Sequence, residues 1–229
     1  QQAAGVGDAD QQGATRAAAD DEEGRKAATP EGNVSVAAAV GINIQRNTVL
    51  AEVADGLDVT AGGALVLRAL GNTDGVITAD GKAVGVEDAE GNLPPPARIG
   101  VGAAVAVNLV HGSGLARLGT GTHTAGALTV EALKRDVADV RGGDADAAGR
   151  DDALSATTVS GAGAENVGIA GSVALNLADS SSVAQVAGPV TITGGGAVRV
   201  ASDARSATGA SATAEVSGGK VGVGASVAL

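Results

Sequence analysis

The chain has 229 residues, a net charge of −11 and an apolar fraction of 44%, with 37 Gly and no Phe, Trp, Tyr, Met or Cys. The lack of cysteine excludes disulfides and thiolate metal sites, and the acidic charge argues against nucleic acid and anionic lipid as partners. Because aromatic side chains usually dominate a thick core, a core of Ala, Val, Leu and Ile predicts a thin one, typical of stacked repeats rather than of a compact enzyme.

One strand-like segment occurs four times along the chain. Residues 34–44 return as 99–109 and 167–177, and a fourth copy begins at 221 and reaches 229, so that the copies lie 65, 68 and 54 residues apart. In places Val or Ile recurs at every second position, which predicts β-strands. The Ala, Gly and Ser residues between them predict that the second face is also closely approached, by another sheet or by the next coil.

The remainder of each copy repeats as well. Equivalent positions follow at Leu50, Leu115 and Val183, at Val53, Leu118 and Val186, at Thr60, Thr124 and Thr193, and at the strand-like segments 64–68, 127–131 and 197–201. The unequal intervals come mainly from one variable segment (70–98, 133–166 and 203–220), which is predicted to form loops on one side of a regular stack. Residues 14–26 and 132–140 carry a weak helical pattern and are interpreted as loops with at most a helical turn.

These repeats predict the fold, because each unit exposes an apolar face that only a neighbouring unit can cover. We predict an all-β fold, an elongated β-solenoid similar to a parallel β-helix, made of stacked 54–68-residue repeats; antiparallel hairpins within a unit, for example around 217–220, remain an alternative. The units form one continuous segment: the tail of a preceding repeat with an acidic loop (1–33), repeat 1 (34–98), repeat 2 (99–166), repeat 3 (167–220) and the start of repeat 4 (221–229). We expect further repeats on both sides.

The repeat also resembles a known class of sequences. Residues 221–229 read Val-Gly-Val-Gly-Ala-Ser-Val-Ala-Leu. The copies share an Asn, a short polar turn and a later segment close to Thr-x-Gly-Gly-x-Val/Leu-x-Val, in which the second copy has one Gly instead of two. Over about 34–229 the chain is similar to the β-strand repeats of giant bacterial surface and secreted proteins, such as filamentous adhesins of the fusobacterial leukotoxin type. This resemblance implies an exported, elongated β-solenoid stalk with no catalytic residues, although the acidic insertions 8–31, 72–92 and 134–152 are longer than in many such repeats.

Two columns of polar residues recur in the copies. Asn43, Asn108 and Asn176 are predicted to be structural, because Asn at the end of a strand bonds its own turn and because Asn residues in register can bond one another between coils. The pairs Thr122/Thr124 and Thr191/Thr193 suggest an ice-binding face as an alternative. The first copy has Asp58 and Thr60 instead, which favours ordinary strand residues.

Acidic clusters are the candidates for ion binding. Asp144, Asp146, Asp151 and Asp152 follow two Gly residues, and a second run spans 20–23. Ca²⁺ needs six to eight oxygen ligands, but neither run has the spacing of an EF-hand or of the nonapeptide Ca²⁺ repeat. We therefore predict solvated charge and no cofactor, with Ca²⁺ kept as an alternative.

Residues suited to catalysis are few. The two histidines, His111 and His123, are interpreted as loop residues, and Arg46 and Asp179 occupy the position of His111 in the other copies. Ser113 lies two residues after His111, but no other feature indicates a nucleophile and its base. The Gly-rich stretches at 194–196 and 217–219 lack the ending of a phosphate loop. We predict no enzyme and assign no catalytic, cofactor-binding or metal-binding residue.

The sequence thus predicts a non-catalytic structural or adhesive scaffold, a repeat segment of a bacterial extracellular or cell-surface fibre, stalk or adhesin. Its expected partners are neighbouring repeats, head-to-tail copies of the chain and cell-surface or matrix ligands, without nucleic acid or membrane insertion. One alternative is a module on the solenoid that binds Ca²⁺, glycan or ice. Another is an outer-membrane β-barrel, against which the absence of aromatic residues for the interfacial girdles argues.

Overall fold

The computed structural model describes residues 34–83, 97–134 and 152–229, and these residues form β-strands joined by short turns, with no helix among them. The prediction of an all-β fold is confirmed. The strands are β1 (Val34–Val53), β2 (Val59–Thr60), β3 (Ala64–Gly71), β4 (Gly75–Ala83), β5 (Ile99–Leu118), β6 (His123–Ala125), β7 (Ala127–Lys134), β8 (Asp152–Gly163), β9 (Val167–Val186), β10 (Val190–Ile192), β11 (Val198–Asp203), β12 (Ser206–Ser217) and β13 (Val221–Ala228).

The strands make four parallel sheets. Sheet A has the order β1-β5-β9-β13, sheet B has β2-β6-β10, sheet C has β3-β7-β11, and sheet D has β4-β8-β12. Each of the first three copies contributes one strand to every sheet, and the fourth copy contributes β13 to sheet A. Successive copies therefore lie over one another, with each strand bonded to its equivalent in the next copy.

The register of sheet A follows the repeats of the sequence. Val36 pairs with Val101, Val101 with Ile169, and Ile169 with Val223. Residues that occupy the same place in the repeat thus occupy the same place along the stack. A slip of one residue would reverse the two faces of the sheet, and the small residues of one face can lie only on the crowded inner side.

The alignment at the Thr column was wrong in the third copy. Thr124 pairs with Thr60 on one side and with Thr191 on the other, so Thr193 lies two residues beyond the column. The turn between sheets A and B becomes shorter from copy to copy: it spans 54–58 in the first copy, 119–122 in the second and 187–189 in the third. The sequence alignment placed the third Thr directly before a Gly-containing turn, but the backbone pairing of the strands sets the register.

The prediction that the variable segments form loops was also wrong. Each contains a strand of sheet D, since β4, β8 and β12 lie within 70–98, 133–166 and 203–220. The additional residues fall at two different connections, between β4 and β5 in the first copy and between β7 and β8 in the second. The two weakly helical stretches are 14–26 and 132–140. Residues 132–134 form the end of strand β7, whereas 14–26 and 135–140 lie outside the described residues.

Antiparallel hairpins are not found among the described strands. The turn at 217–220 joins β12 to β13, but β12 pairs with β8 and β13 pairs with β9, and both pairings are parallel. Two residues of this turn, Gly218 and Gly219, have φ values of 74° and 80°, which glycine adopts without strain. The chain therefore changes sheet at this corner instead of folding back on itself.

Sheet A forms one wall of a thin molecule, and sheets C and D together form the other. The later half of sheet A packs on sheet C in a cluster that includes Ala116, Leu118 and Val130. The earlier half packs on sheet D, where Ala104 and Ala106 meet Ile77. Each copy thus runs along sheet A, turns through sheet B and returns through sheets C and D.

The gap between sheets A and D is narrowest around Gly81 and Gly102, where no side chain fits. A Cβ added at Gly102 would overlap the carbonyl oxygens of Gly161 and Gly81, and one added at Gly81 would overlap the carbonyl oxygen of Ala103. The expectation that the small-residue face is closely approached is confirmed. The branched residues of the earlier half of sheet A, along 34–44 and its copies, consequently point outward, and Val40 is 64% exposed.

Substitution of Gly102 by alanine tests this packing. We expect Gly102→Ala to destabilise the fold by about 3 kcal/mol or more, because backbone atoms of two strands would have to move apart. Gly171→Ala is the matched control, because Gly171 lies on the outer face of the same sheet with no atom within 4 Å of its added Cβ. Urea unfolding of both variants measures the difference, and equal stabilities would contradict the close approach.

Candidate functional site

The outer face of sheet A is the most distinctive surface of the described chain. Along 34–44 and its copies, every outward position is Val, Ile, Leu, Ala or Gly, and none is polar. We call this surface the aliphatic face; it consists of Val34, Val36, Ala38, Val40, Ile42, Ile44, Ile99, Val101, Ala103, Val105, Val107, Leu109, Val167, Ile169, Gly171, Val173, Leu175, Leu177, Val221, Val223, Ala225 and Val227. Its exposure reaches 75% at Ile44. Four hydrogen-bonded strands hold these side chains in straight rows.

A row of charged residues borders the aliphatic face. Arg46, His111 and Asp179 are register partners, as the alignment of the copies predicted, and His111 Nδ1 lies 2.9 Å from Asp179 Oδ2. Together with neighbouring residues such as Leu109, they line a shallow groove of about 370 Å³. Since the pair is exposed, its ionic contribution to stability is small, on the order of 0–1 kcal/mol.

Ser113 and His111 do not form a nucleophile and its base. The Ser113 Oγ lies 3.2 Å from Thr48 Oγ1 and donates to it, and it lies 3.5 Å from the carbonyl oxygen of Asn47. The hydroxyl is thus engaged with the neighbouring strand, while His111 faces Asp179. This row connects adjacent copies and has no arrangement suited to acyl transfer.

The Asn column forms a hydrogen-bonded ladder, as predicted, but inside the molecule and in the middle of long strands rather than at their ends. Asn43 Nδ2 donates to Asn108 Oδ1 at 2.7 Å, and Asn108 Nδ2 donates to Asn176 Oδ1 at 2.8 Å. Asn108 Nδ2 also lies 2.8 Å from the carbonyl oxygen of Gly75 in sheet D. Asn43 and Asn108 are buried, so the ladder joins both the copies and the two walls.

The Thr pairs do not make a regular lattice. Sheet B, which carries Thr60, Thr124 and Thr191, is only two or three residues long. Thr122 lies in the preceding turn, where its amide donates to Asp58 Oδ1 at 2.7 Å. These threonines stabilise a corner of the chain.

Both histidines are strand residues, His111 in β5 and His123 in β6, so their interpretation as loop residues was wrong. His123 is the buried one. It lies in β6 between Val59 and Val190 and is fully buried. Its Nε2 carries the proton and donates to the carbonyl oxygen of Gly119 at 3.0 Å, because a carbonyl can only accept. Its Nδ1 has no hydrogen-bond partner among the described residues.

Asp152, the one described member of the predicted acidic cluster, is buried in a polar contact between copies. Its Oδ1 accepts from the Thr73 amide and its Oδ2 from Ser180 Oγ, each at 2.7 Å, and Lys134 Nζ lies 3.8 Å from Oδ2. Burial lowers the pKa of Lys134, an effect that the charge of Asp152 opposes. Lys134 ends β7 and Asp152 begins β8, so the pair joins the two ends of the 135–151 insertion.

The other predicted cation ligands, Asp144, Asp146, Asp151 and the run 20–23, lie outside the described residues. Within 34–83, 97–134 and 152–229, no three His, Cys, Asp or Glu side chains converge in a way that could hold a metal ion. None of these residues belongs to a helix long and apolar enough to cross a membrane.

Two ionic contacts between copies were not predicted from the sequence. Glu131 accepts hydrogen bonds from Arg68 and Arg199 of the copies on either side. Burial favours a higher pKa for Glu131, but the bonds from Arg199 and Arg68 outweigh it and hold the pKa below its ordinary value. Arg199 pairs along the strand with Thr129 rather than with Glu131, so the contact is diagonal and an alignment of the copies does not reveal it.

The second contact holds the turn between sheets A and B. Arg117 donates to Glu52 Oε1 at 2.8 Å and to both oxygens of Asp55, at 2.7 and 2.8 Å. The hydrogen bond from Arg117, followed by that from the Thr120 amide, lowers the pKa of Asp55 to about 2. Asp55 therefore bonds a side chain and a backbone amide of the next copy.

Comparison with protein-family models, with curated proteins and with solved structures gave no match for this chain. The contacts described above are the basis on which its function is proposed. Most of them join one copy to the next, and the aliphatic face is the part of sheet A that no described segment covers.

The Asn ladder is tested by truncating its central and terminal members. We expect Asn108→Ala to lower the free energy of unfolding by about 2–4 kcal/mol, because Asn43 Nδ2, Asn176 Oδ1 and the Gly75 carbonyl oxygen each lose their bond to Asn108. Asn43→Ala breaks only the bond to Asn108 and is expected to cost less than half as much. Chemical denaturation of the two variants compares them, and an equal or larger loss for Asn43→Ala would contradict the ladder.

The Asp55 contact predicts a defined pH dependence. Because its pKa falls from 3.8 to about 2 on folding, the stability it contributes is fully present above about pH 4 and is lost as the pH falls towards 2. The difference in urea midpoint between the wild type and Asp55→Asn should therefore narrow from pH 5 to pH 2. The difference in urea midpoint between the wild type and Arg117→Met should narrow over the same pH range. If the difference between the wild type and Asp55→Asn did not change with pH, the Asp55 carboxylate would not be bonded in this way.

Proposed function

We propose that the chain is a β-solenoid segment that serves as a non-catalytic structural or adhesive scaffold in a cell-surface or extracellular fibre. The observation that carries the proposal is the parallel pairing of equivalent residues from copy to copy in all four sheets. A chain built in this way lengthens by adding copies, with no change in its cross-section. Such growth suits a stalk or fibre.

The thin interior supports a structural role. Between sheets A and D, backbone atoms approach so closely that even a methyl group at Gly102 or Gly81 has no space. That part of the interior cannot hold a ligand or a substrate. The groups that could interact with other molecules thus lie on the outer faces and at the connections.

Adhesion would use those outer parts. The insertions between β4 and β5 and between β7 and β8 differ in length and sequence among copies, while the sheets retain their register. Variable segments on a regular support are a common way to build a binding surface. The scaffold and the proposed contact regions are therefore separate parts of the same repeat.

Duplication of one copy tests the solenoid directly. A variant in which residues 99–166 occur twice in succession should fold, should be at least as stable as the wild type, and should grow by about 4.8 Å along the stack at constant width. Small-angle X-ray scattering and chemical denaturation measure the two effects. A second insertion, of 99–125 alone, is the control; it lacks the return strands of sheets C and D and should destabilise the chain.

A duplicated copy that remained unfolded, or that folded as a separate unit with its own transition, would contradict the solenoid. The proposed location is tested separately, with antibodies raised against the chain. They should label intact cells of the organism that encodes it, or the fibres that those cells release. Labelling only after the cells are made permeable would contradict a surface or extracellular role.

A further inference from the structure

The aliphatic face has the size of a protein interface. Eleven residues at about 3.3 Å each and four strands about 4.8 Å apart give a flat area of roughly 35 by 19 Å, or about 670 Å². The largest apolar patch of an ordinary monomer covers about 300–600 Å² and is often functional, whereas a stable interface buries about 800 Å² of accessible surface per partner. Side chains that protrude from the plane add to the area, so one face supplies about what such an interface requires.

The shape of the face restricts its partner. Parallel pairing in register places branched side chains in straight rows, such as Val40, Val105, Val173 and Val227. The grooves between these rows are evenly spaced, and a surface with the same spacing can interdigitate with them, as two sheets do at a separation of about 10 Å. A second copy of this chain presents that surface.

Charge and composition argue against a membrane as the partner of the aliphatic face. The net charge of −11 opposes binding to anionic lipid, and the chain has no Trp or Tyr to sit at the lipid interface. Repulsion between two acidic copies is weakened by salt, and no outward position of the aliphatic face is itself charged. Salt should therefore strengthen contact between two such faces.

The chain's own remaining segments offer little to cover the face. Outside the described residues, the large aliphatic side chains are Val6, Val84, Val86, Leu93, Val137 and Val140. These few residues are spread over three acidic or proline-containing segments, whereas the aliphatic face presents four strands of Val, Ile and Leu. Six side chains are too few to match the Val, Ile and Leu side chains of that face.

We infer that two copies of the chain pair through their aliphatic faces, one on the other, about a two-fold axis. Such a pairing uses the same patch on both partners and closes on itself. It is lateral, so it leaves the ends of the stack free. The inference goes beyond the proposed scaffold role, because it concerns the face of a sheet rather than growth along the stack.

Val105, in the second of four strands and near the middle of the face, is the position at which to test the pairing. The wild type should sediment at twice 21.6 kDa at tens of micromolar protein, with more dimer at 0.5 M than at 0.1 M NaCl. Val105→Lys should shift the dissociation constant at least 100-fold towards the monomer. Thr157→Lys adds the same charge to the outer face of sheet D in the same copy, and should leave the dimer unchanged.

Circular dichroism of both variants should match that of the wild type, so that loss of the dimer does not reflect unfolding. If Val105→Lys unfolds the chain, Val105→Ser serves in its place and should weaken the dimer at least 10-fold. A wild type that remains monomeric at 200 µM overturns the inference. A dimer whose dissociation constant is the same in Val105→Lys as in Thr157→Lys overturns it as well.

Cross-linking separates lateral pairing from end-to-end stacking. The chain has no cysteine, so Val105→Cys or Thr157→Cys supplies a single small thiol to a bifunctional thiol reagent with a reach of about 15 Å. Face-to-face pairing brings the two thiols at 105 within about that reach and leaves those at 157, on the far walls, beyond it, so the dimer should cross-link at 105 and not at 157. End-to-end stacking is a translation, which gives equal distances and equal cross-linking at both positions and would overturn the inference. A monomeric chain that floats with phosphatidylcholine vesicles would overturn it in favour of a lipid surface.

Discussion

The close approach of sheets A and D is the constraint on which the rest of the structure depends. At Gly81, Gly100 and Gly102 the backbone of one wall occupies the space that a side chain would need on the other. No residue larger than Gly fits at these points, and inward residues beside them on sheet A, such as Ala104 and Ala106, are Ala, which agrees with a chain rich in Gly and Ala. An aromatic side chain would have to separate the walls over several copies at once.

A thin interior has two consequences for the remaining residues. The branched residues of the earlier half of sheet A lie outside, where Val40 and Ile44 are largely exposed, although Val and Ile are usually buried in globular proteins. Cohesion then depends on contacts between copies: backbone bonds, the Asn43–Asn108–Asn176 ladder and the ionic contacts of Glu131 and Arg117. The proposed function accordingly uses the faces and the connections of the stack.

Much of the stacking could be predicted from the sequence, because equivalent residues recur in the copies and must meet equivalent surroundings. The alignment of Val36 with Val101 and Ile169, and of Arg46 with His111 and Asp179, is the register that the structure shows. Sheet D was missed because β8 and β12 consist mainly of Ala, Ser, Thr and Gly, which give no strong apolar alternation. The third Thr was misplaced because the turn before it is shorter.

The sites were harder to predict, since they depend on distances between strands. Alternation reveals two faces, but only the separation of the walls shows that the face with Val105 points outward. The Asn ladder was predicted as contacts between copies, but its link to the Gly75 carbonyl depends on where sheet D lies. His123 lies between two valines, and nothing in its neighbours along the chain indicates burial.

Disulfide formation between adjacent copies tests the stacking most directly. Residues 101 and 169 are register partners, so their Cα atoms lie about 5 Å apart, within the range that a disulfide spans. In Val101→Cys/Ile169→Cys, mild oxidation of dilute monomer should give an intramolecular bond, whereas Val101→Cys/Val173→Cys, displaced by four residues, should remain reduced. Equal cross-linking of the two pairs, or none in the first, would contradict the in-register stack.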